Sequence, residues 1–167
     1  MPTYRVEAGT TVTVQARSSI HDTVTRWDKV SGTVEADPGA LDGGGTKATF
    51  TVDMGAFDAG DWLKNRKLKK DLAADRYPTA VFELREVTGV TQNGDAFEAT
   101  ASGVIRYRDH EVAVEIKGTG TMSEDSIEAK GAFDLDIRGF GMEPPKVLMF
   151  KMEPDVTINV TLRARAS

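Results

Sequence analysis

Residues 53–84 read DMGAFDAGDWLKNRKLKKDLAADRYPTAVFEL, and the change of period along this stretch decides the fold. Its middle is rich in Leu, Lys and Ala, and Asp58 is a candidate N-cap with Asp61 three residues on. Tyr77-Pro78 stops the helix, because a proline drives the residue before it out of the α region. Ala80, Phe82 and Leu84 then resume a period of two. A helix is thus expected over 56–74, where it interrupts a chain that otherwise alternates like β-strands, as a lid on a sheet or barrel. Phe57, Trp62, Leu63, Leu68 and Leu72 would turn its apolar side to the mouth. The five-residue step from Leu63 to Leu68 breaks helical periodicity and predicts a bend near Asn65.

Working outward, alternation predicts strands at Tyr4–Val6, Thr11–Arg17, Val30–Asp37, Thr46–Met54, Ala80–Val90, Ala96–Tyr107, Glu111–Met122, Ser126–Ile137, Val147–Met152 and Val156–Arg165. The last is the plainest: Val156, Ile158, Val160 and Leu162 face one way, and Thr157, Asn159, Thr161 and Arg163 the other. Turn signals stand between the strands at Asp37-Pro38-Gly39, Gly43-Gly44-Gly45, Asn93-Gly94-Asp95, Ser123-Glu124-Asp125 and Pro144-Pro145. Such short gaps favour an antiparallel meander, which loses its exposed edges by closing into a barrel. The fold class is therefore all-β with one capping helix, an open sandwich being the competing architecture.

With 167 residues, 40% of them hydrophobic, the chain fits one domain that buries roughly 70% of its unfolded surface. The absence of cysteine removes disulfides, iron–sulfur clusters, thiolate zinc sites and cysteine nucleophiles together. A net charge of −5 argues against a nucleic-acid partner. The start, MPTYRVEAGTTVTV, has neither the basic nor the apolar part of a signal peptide, and no run approaches the ~20 apolar residues of a membrane helix. The location read from this is cytoplasmic, or periplasmic if an export signal has been trimmed.

Candidates for chemistry are sparse. The two histidines, His21 and His110, belong to no spaced metal motif. His21 reads as a hydrogen-bonded structural histidine more readily than a catalytic one, and His110 as solvated. Ser18 and Ser19 precede His21 and Asp22 too closely to converge as a triad, since neighbours on a strand point apart. Gly118-Thr119-Gly120 lacks the third glycine and following helix of a dinucleotide loop, and 37–45 lacks the spacing of a calcium loop.

The basic cluster carries more. Lys64, Arg66, Lys67, Lys69 and Lys70 place five cations within seven residues. They form either a solvated helix face or a basic lid that holds an anionic head group or touches an anionic membrane surface. Large apolar residues are the last constellation, and an eight-stranded barrel has room either for its own side chains or for one small ligand.

Three stretches together are similar to the YceI-like family: VTVQARSSIHDTVTRWDKVSGTVEAD (12–37), GDWLKNRKLKKDLAADRYPTAVFEL (60–84) and AFDLDIRGFGMEPPKVLMFKMEPDVTINVTL (132–162). Tyr77, Pro78 and Phe82 match most specifically. At 104–112 the chain reads VIRYRDHEV where many members carry a Leu-Thr-x-x-Gly-Val-Thr turn. The resemblance implies an antiparallel eight-stranded lipocalin-like β-barrel that binds a polyisoprenoid or other long amphiphilic lipid.

The expected function is non-enzymatic binding, sequestration or transport of such a lipid. Its tail would be lined by Phe50, Val52, Met54, Phe57, Trp62, Leu63, Leu68, Phe82, Leu84, Phe133, Leu135 and Ile137, with His21, Arg66 and Arg138 as head-group contacts. No metal or cofactor is expected beyond a bound isoprenoid or fatty-acyl lipid. Peripheral membrane contact and a homodimer paired through a strand edge are the further partner expectations. The alternatives are a small enzyme acting on an amphiphile with His21 as base, and a stress-related interaction module whose barrel is filled by its own side chains.

Overall fold

The computed structural model describes residues 2–18, 22–142, 146–147 and 150–167. Ser19, His21, the Pro144-Pro145 turn and the middle of the strand expected at 147–152 lie outside the described residues. The strands are β1 (Thr3–Val6), β2 (Thr11–Arg17), β3 (Asp22–Trp27), β4 (Val30–Glu35), β5 (Lys47–Asp53) and β6 (Phe57–Asp58), then, after the helix α1 (Trp62–Leu72), β7 (Thr79–Asn93), β8 (Ala96–Tyr107), β9 (His110–Met122) and β10 (Ser126–Asp136). A 3₁₀ turn (Ile137–Phe140), the small hairpin β11 (Lys146–Val147) and β12 (Phe150–Lys151), and β13 (Asp155–Ala166) complete the chain.

Neighbouring strands pair antiparallel in the order β1-β4-β5-β7-β8-β9-β10-β13, and β13 returns to β1, which closes the sheet into an eight-stranded barrel. β1 and β2 act as one long strand: β13 meets β2 from Val156 to Thr161 and β1 from Ala164 to Ala166. Thr10, in the break between them, is buried and ties the seam by donating to Arg163 O and accepting from Arg163 N at 3.0 and 2.9 Å. β3 and β4 are likewise one bent strand, which pairs with β2 and β1 on one side and with β6 and β5 on the other. Each of the eight barrel strands has two neighbours, and among the described residues β6 alone ends the sheet with one.

Tight turns make the meander. Between β8 and β9 the two central residues, Arg108 and Asp109, both take positive φ (52° and 62°), the backbone a type I′ hairpin demands. The β7–β8 turn places Gly94 at φ 60°. β7 carries register shifts between Leu84 and Glu86 and between Thr88 and Thr91; these bulges bend the strand.

The helix begins later than the sequence suggests. Phe57-Asp58 pairs as a strand with Trp27-Arg26, and Asp61 rather than Asp58 caps the helix, accepting from Lys64 N at 2.8 Å. Starting there, the helix needs no break at Asn65, whose side chain instead accepts from Ala59 N and pins the incoming chain. Ala73 closes the helix in the left-handed region with φ 53°. β3 is the strand that alternation missed: its apolar Val24 faces out and its polar Thr25 faces in.

Two clusters of buried residues occupy the barrel. At the helix end, Leu72 and Ala74 pack with Trp27, Tyr107, Leu135, Phe140, Met142, Val156 and Ile158. At the other end, Leu41 from the loop after β4 packs with Tyr4, Val34, Ala48, Met122 and Ile127. That loop is held by Gln92, which donates to Pro38 O at 2.5 Å, and by Thr46, which donates to Leu41 O at 2.8 Å.

Candidate functional site

The strands that alternate most cleanly also build the inner wall. Their inward residues leave a cavity of about 410 Å³ between the two clusters. Protein interiors rarely hold a void larger than a water molecule, whereas ligand pockets run from roughly 300 to 1,000 Å³. The hollow is thus of ligand size, and the barrel is not filled by its own side chains.

Its origin lies in a row of small residues. Ala99 pairs with Gly118 across β8–β9, and Gly118 with Gly131 across β9–β10, so three adjacent strands turn almost no side chain inward at one level. The strands that continue the wall beyond β10 carry larger residues: Val156, Ile158, Val160 and Leu162 on β13, and Val12 and Val14 on β2. Phe50 and Phe82 stack with ring centroids 6.0 Å apart.

Two hydroxyls on this wall, those of Thr10 and Tyr107, are already engaged. The Thr10 hydroxyl is tied to the Arg163 backbone. The Tyr107 hydroxyl donates towards Leu72 O and Tyr77 O at 3.0 and 3.1 Å, which ties β8 to the C-terminal turn of α1 and the segment after it. Burial pushes the Tyr107 phenol up to about 12, against the opposing pull of the Arg108 guanidinium. Tyr107 meets Tyr77 and Phe140 edge-on, each at 6.2 Å. Arg76 and Arg108 both approach the Tyr77 ring, at 5.3 and 5.8 Å from its centroid. These rings form an aromatic collar under the lid. A wall of this kind excludes water and accepts hydrocarbon. Among the described residues no three His, Cys, Asp or Glu gather as metal ligands.

Of the residues singled out in the sequence, Phe50, Val52, Met54, Leu68, Phe82, Leu84, Phe133, Leu135 and Ile137 lie on the cavity wall. The others do not. Phe57 packs on Trp27 at 5.6 Å, off the wall. Trp62 and Leu63, expected to face the mouth, are instead exposed, at 67% and 63%: with the helix starting at Trp62, only Leu68 and Leu72 reach the cavity. Arg66 is on the outer side of α1. Arg138 is held in a bidentate pair by Asp136, with contacts of 2.7 to 3.1 Å, and faces solvent. That guanidinium holds the Asp136 carboxyl below its usual range. His21 lies outside the described residues.

Sequence reasoning missed the small residues, because it looked for large apolar ones. The signal was present: Phe97, Ala99, Ala101, Gly103 and Ile105 recur at period two, as do Ala129 and Gly131. A strand that alternates small residues on its inner face marks where a barrel stays hollow.

Among curated proteins no sequence matches this chain. Among solved structures, BcnA of Burkholderia cenocepacia is similar with a TM-score of 0.78 and 20% identity, over 95% of this chain and 98% of that one. A polyisoprenoid binding domain from Saccharophagus degradans, described as implicated in plant cell wall breakdown, gives a TM-score of 0.78 at 12% identity, with both chains covered in full (100%). The Campylobacter jejuni YCEI protein follows with a TM-score of 0.68 and 11% identity, over 86% of this chain and 84% of that one. At these identities the likeness establishes a shared fold. The model of the YceI-like domain matches residues 4–164, and with that span, the closed barrel and the capping helix all accounted for, this chain belongs to the YceI-like family.

Proposed function

We propose that this protein binds the hydrocarbon tail of a long amphiphilic lipid of polyisoprenoid type inside its barrel, and carries or sequesters it without chemical change. One observation carries the reading: a cavity of about 410 Å³ whose wall is almost wholly apolar and whose Thr10 and Tyr107 hydroxyls are already hydrogen-bonded. Such a wall offers nothing to polarise a bond and a large gain to a buried chain. The polyisoprenoid binding domain among the structural neighbours supports the choice of lipid, and the hollow interior weighs against a module with a filled barrel.

Magnitudes fit the task. Each buried methylene contributes about 0.8 kcal/mol, and association costs roughly 4 to 15 kcal/mol, so a tail of ~20 methylenes leaves micromolar binding within reach. Tail length therefore governs affinity. In a titration with a homologous series of lipids, Kd falls about fourfold per added methylene until the cavity is full, then levels off. Native mass spectrometry of gently purified protein shows a bound lipid that organic extraction removes. Absence of both bound lipid and chain-length dependence would overturn the proposal.

A further inference from the structure

The large apolar side chains left exposed among the described residues are Val24 (55%), Trp62 (67%) and Leu63 (63%), and all three sit at the end of the barrel that carries α1. Trp62 and Leu63 open the helix, and Val24 lies on β3, the strand with which β6 pairs just before the helix starts. Single exposed apolar residues are ordinary on a protein surface; their collection at one end is the observation that calls for a partner.

The helix has two distinct sides. Asn65, Leu68 and Leu72 are half-buried or buried and face the protein. On the far side Leu63, Arg66, Lys67 and Lys70 follow at helical spacing and form one exposed stripe. Lys67 and Lys69 are tied to Asp71 and Asp75, whereas Lys64, Arg66 and Lys70 have no ion-pair partner among the described residues. At the opposite end of the barrel Asp37, Glu124 and Asp125 lie around Tyr4 and, after burial, help to raise its phenol.

We propose that the outer face of α1 docks on an anionic phospholipid bilayer, with Trp62 and Leu63 entering the boundary between head groups and acyl chains and Lys64, Arg66 and Lys70 meeting lipid phosphates. Trp rings settle at this boundary because one part of the ring is apolar and the other polar. A helix with cations beside exposed Trp and Leu is the interfacial kind. A polyanionic macromolecule would satisfy the cations and leave Trp62 and Leu63 in water. Since the whole chain carries a charge of −5, attraction to an anionic surface must be oriented, with the unpaired cations of α1 turned towards it. On the lipid-binding reading this sets the lid against the bilayer, the source or destination of the bound lipid. Docking itself does not require that reading.

The test is co-sedimentation of the full chain with vesicles of phosphatidylcholine alone and of phosphatidylcholine with phosphatidylglycerol, at low salt, with tryptophan emission recorded in parallel. Trp27 is buried, so a blue shift on vesicle addition reports Trp62. Binding to the phosphatidylglycerol vesicles, with that shift, is expected, and should weaken as salt rises. Trp62→Ser should abolish the shift and weaken binding by at least ~10-fold, and Lys64→Gln with Lys70→Gln by roughly fivefold per cation. These side chains are exposed, and circular dichroism verifies that each variant folds. Failure of the wild type to bind, or equal binding by all variants, overturns the proposal. So does binding to heparin that Trp62→Ser leaves unchanged while vesicles are ignored, an outcome that assigns the face to a polyanionic partner. Bound lipid is measured on the same samples: vesicle binding without any bound lipid leaves docking standing and removes the cavity reading alone.

Discussion

Tyr107 shows how much one residue settles. It ends β8, lines the cavity, and holds the lid through the Leu72 and Tyr77 carbonyls. Its phenol is raised to about 12 by burial, from an ordinary value near 10. The unfolded chain therefore loses this proton first. The stabilisation from the neutral phenol is complete below pH ~10 and is lost as pH rises towards ~12. Urea midpoints followed from pH 9 to 12 should fall across that window. Tyr107→Phe should cost about 1 to 2 kcal/mol at neutral pH, from the carbonyls left without their donor, and its midpoint should decline less steeply in alkali. In the sequence, Tyr107 is simply the last residue of an expected strand, since its partners at Leu72 and Tyr77 are some thirty residues away. Arg138, which the sequence offers as a head-group contact, is by contrast captured by the carboxylate only two residues earlier, a local pairing that reading it as a free cation overlooked.

Among the elements, legibility followed how far the cause of each lay along the chain. β13 was plain, because its inward Val156, Ile158, Val160 and Leu162 alternate without a fault. β7 was blurred: inward residues run Ala80, Phe82, Leu84 and then Val87, a step of three that makes sense only with the bulge between Leu84 and Glu86. The start of α1 moved from Asp58 to Asp61 because Phe57-Asp58 is claimed by β3, a contact no local rule contains. Close packing between β7 and β8 can be tested at Gly103, where an added Cβ would lie 2.4 Å from Glu83 O and 2.7 Å from Phe82 Cζ. Gly103→Ala must push the two strands apart and should cost about 1 to 3 kcal/mol. Chemical denaturation measures that loss, and an unchanged midpoint would show that the strands give way freely.

On the scale of the whole molecule, antiparallel meander, closure and capping helix were all readable from short gaps and period-two strands. The hollow was less so, since its cause is a register: Ala99, Gly118 and Gly131 become neighbours only when β8, β9 and β10 are paired. That row offers a direct control. Ala99→Phe sets a ring into the open space beside Gly118 and should lower the lipid carried per molecule, seen by native mass spectrometry, while leaving the far-ultraviolet dichroism unchanged. Full lipid occupancy in this variant would place the ligand elsewhere. The cavity also brings volume into the energetics. Unfolding abolishes an internal void, so compression favours the open chain by an amount that grows with the space left unfilled. An occupied barrel has little such space to surrender. On the proposed function the unloaded form is therefore the one that yields first under hydrostatic load, and a bound tail would serve as ballast.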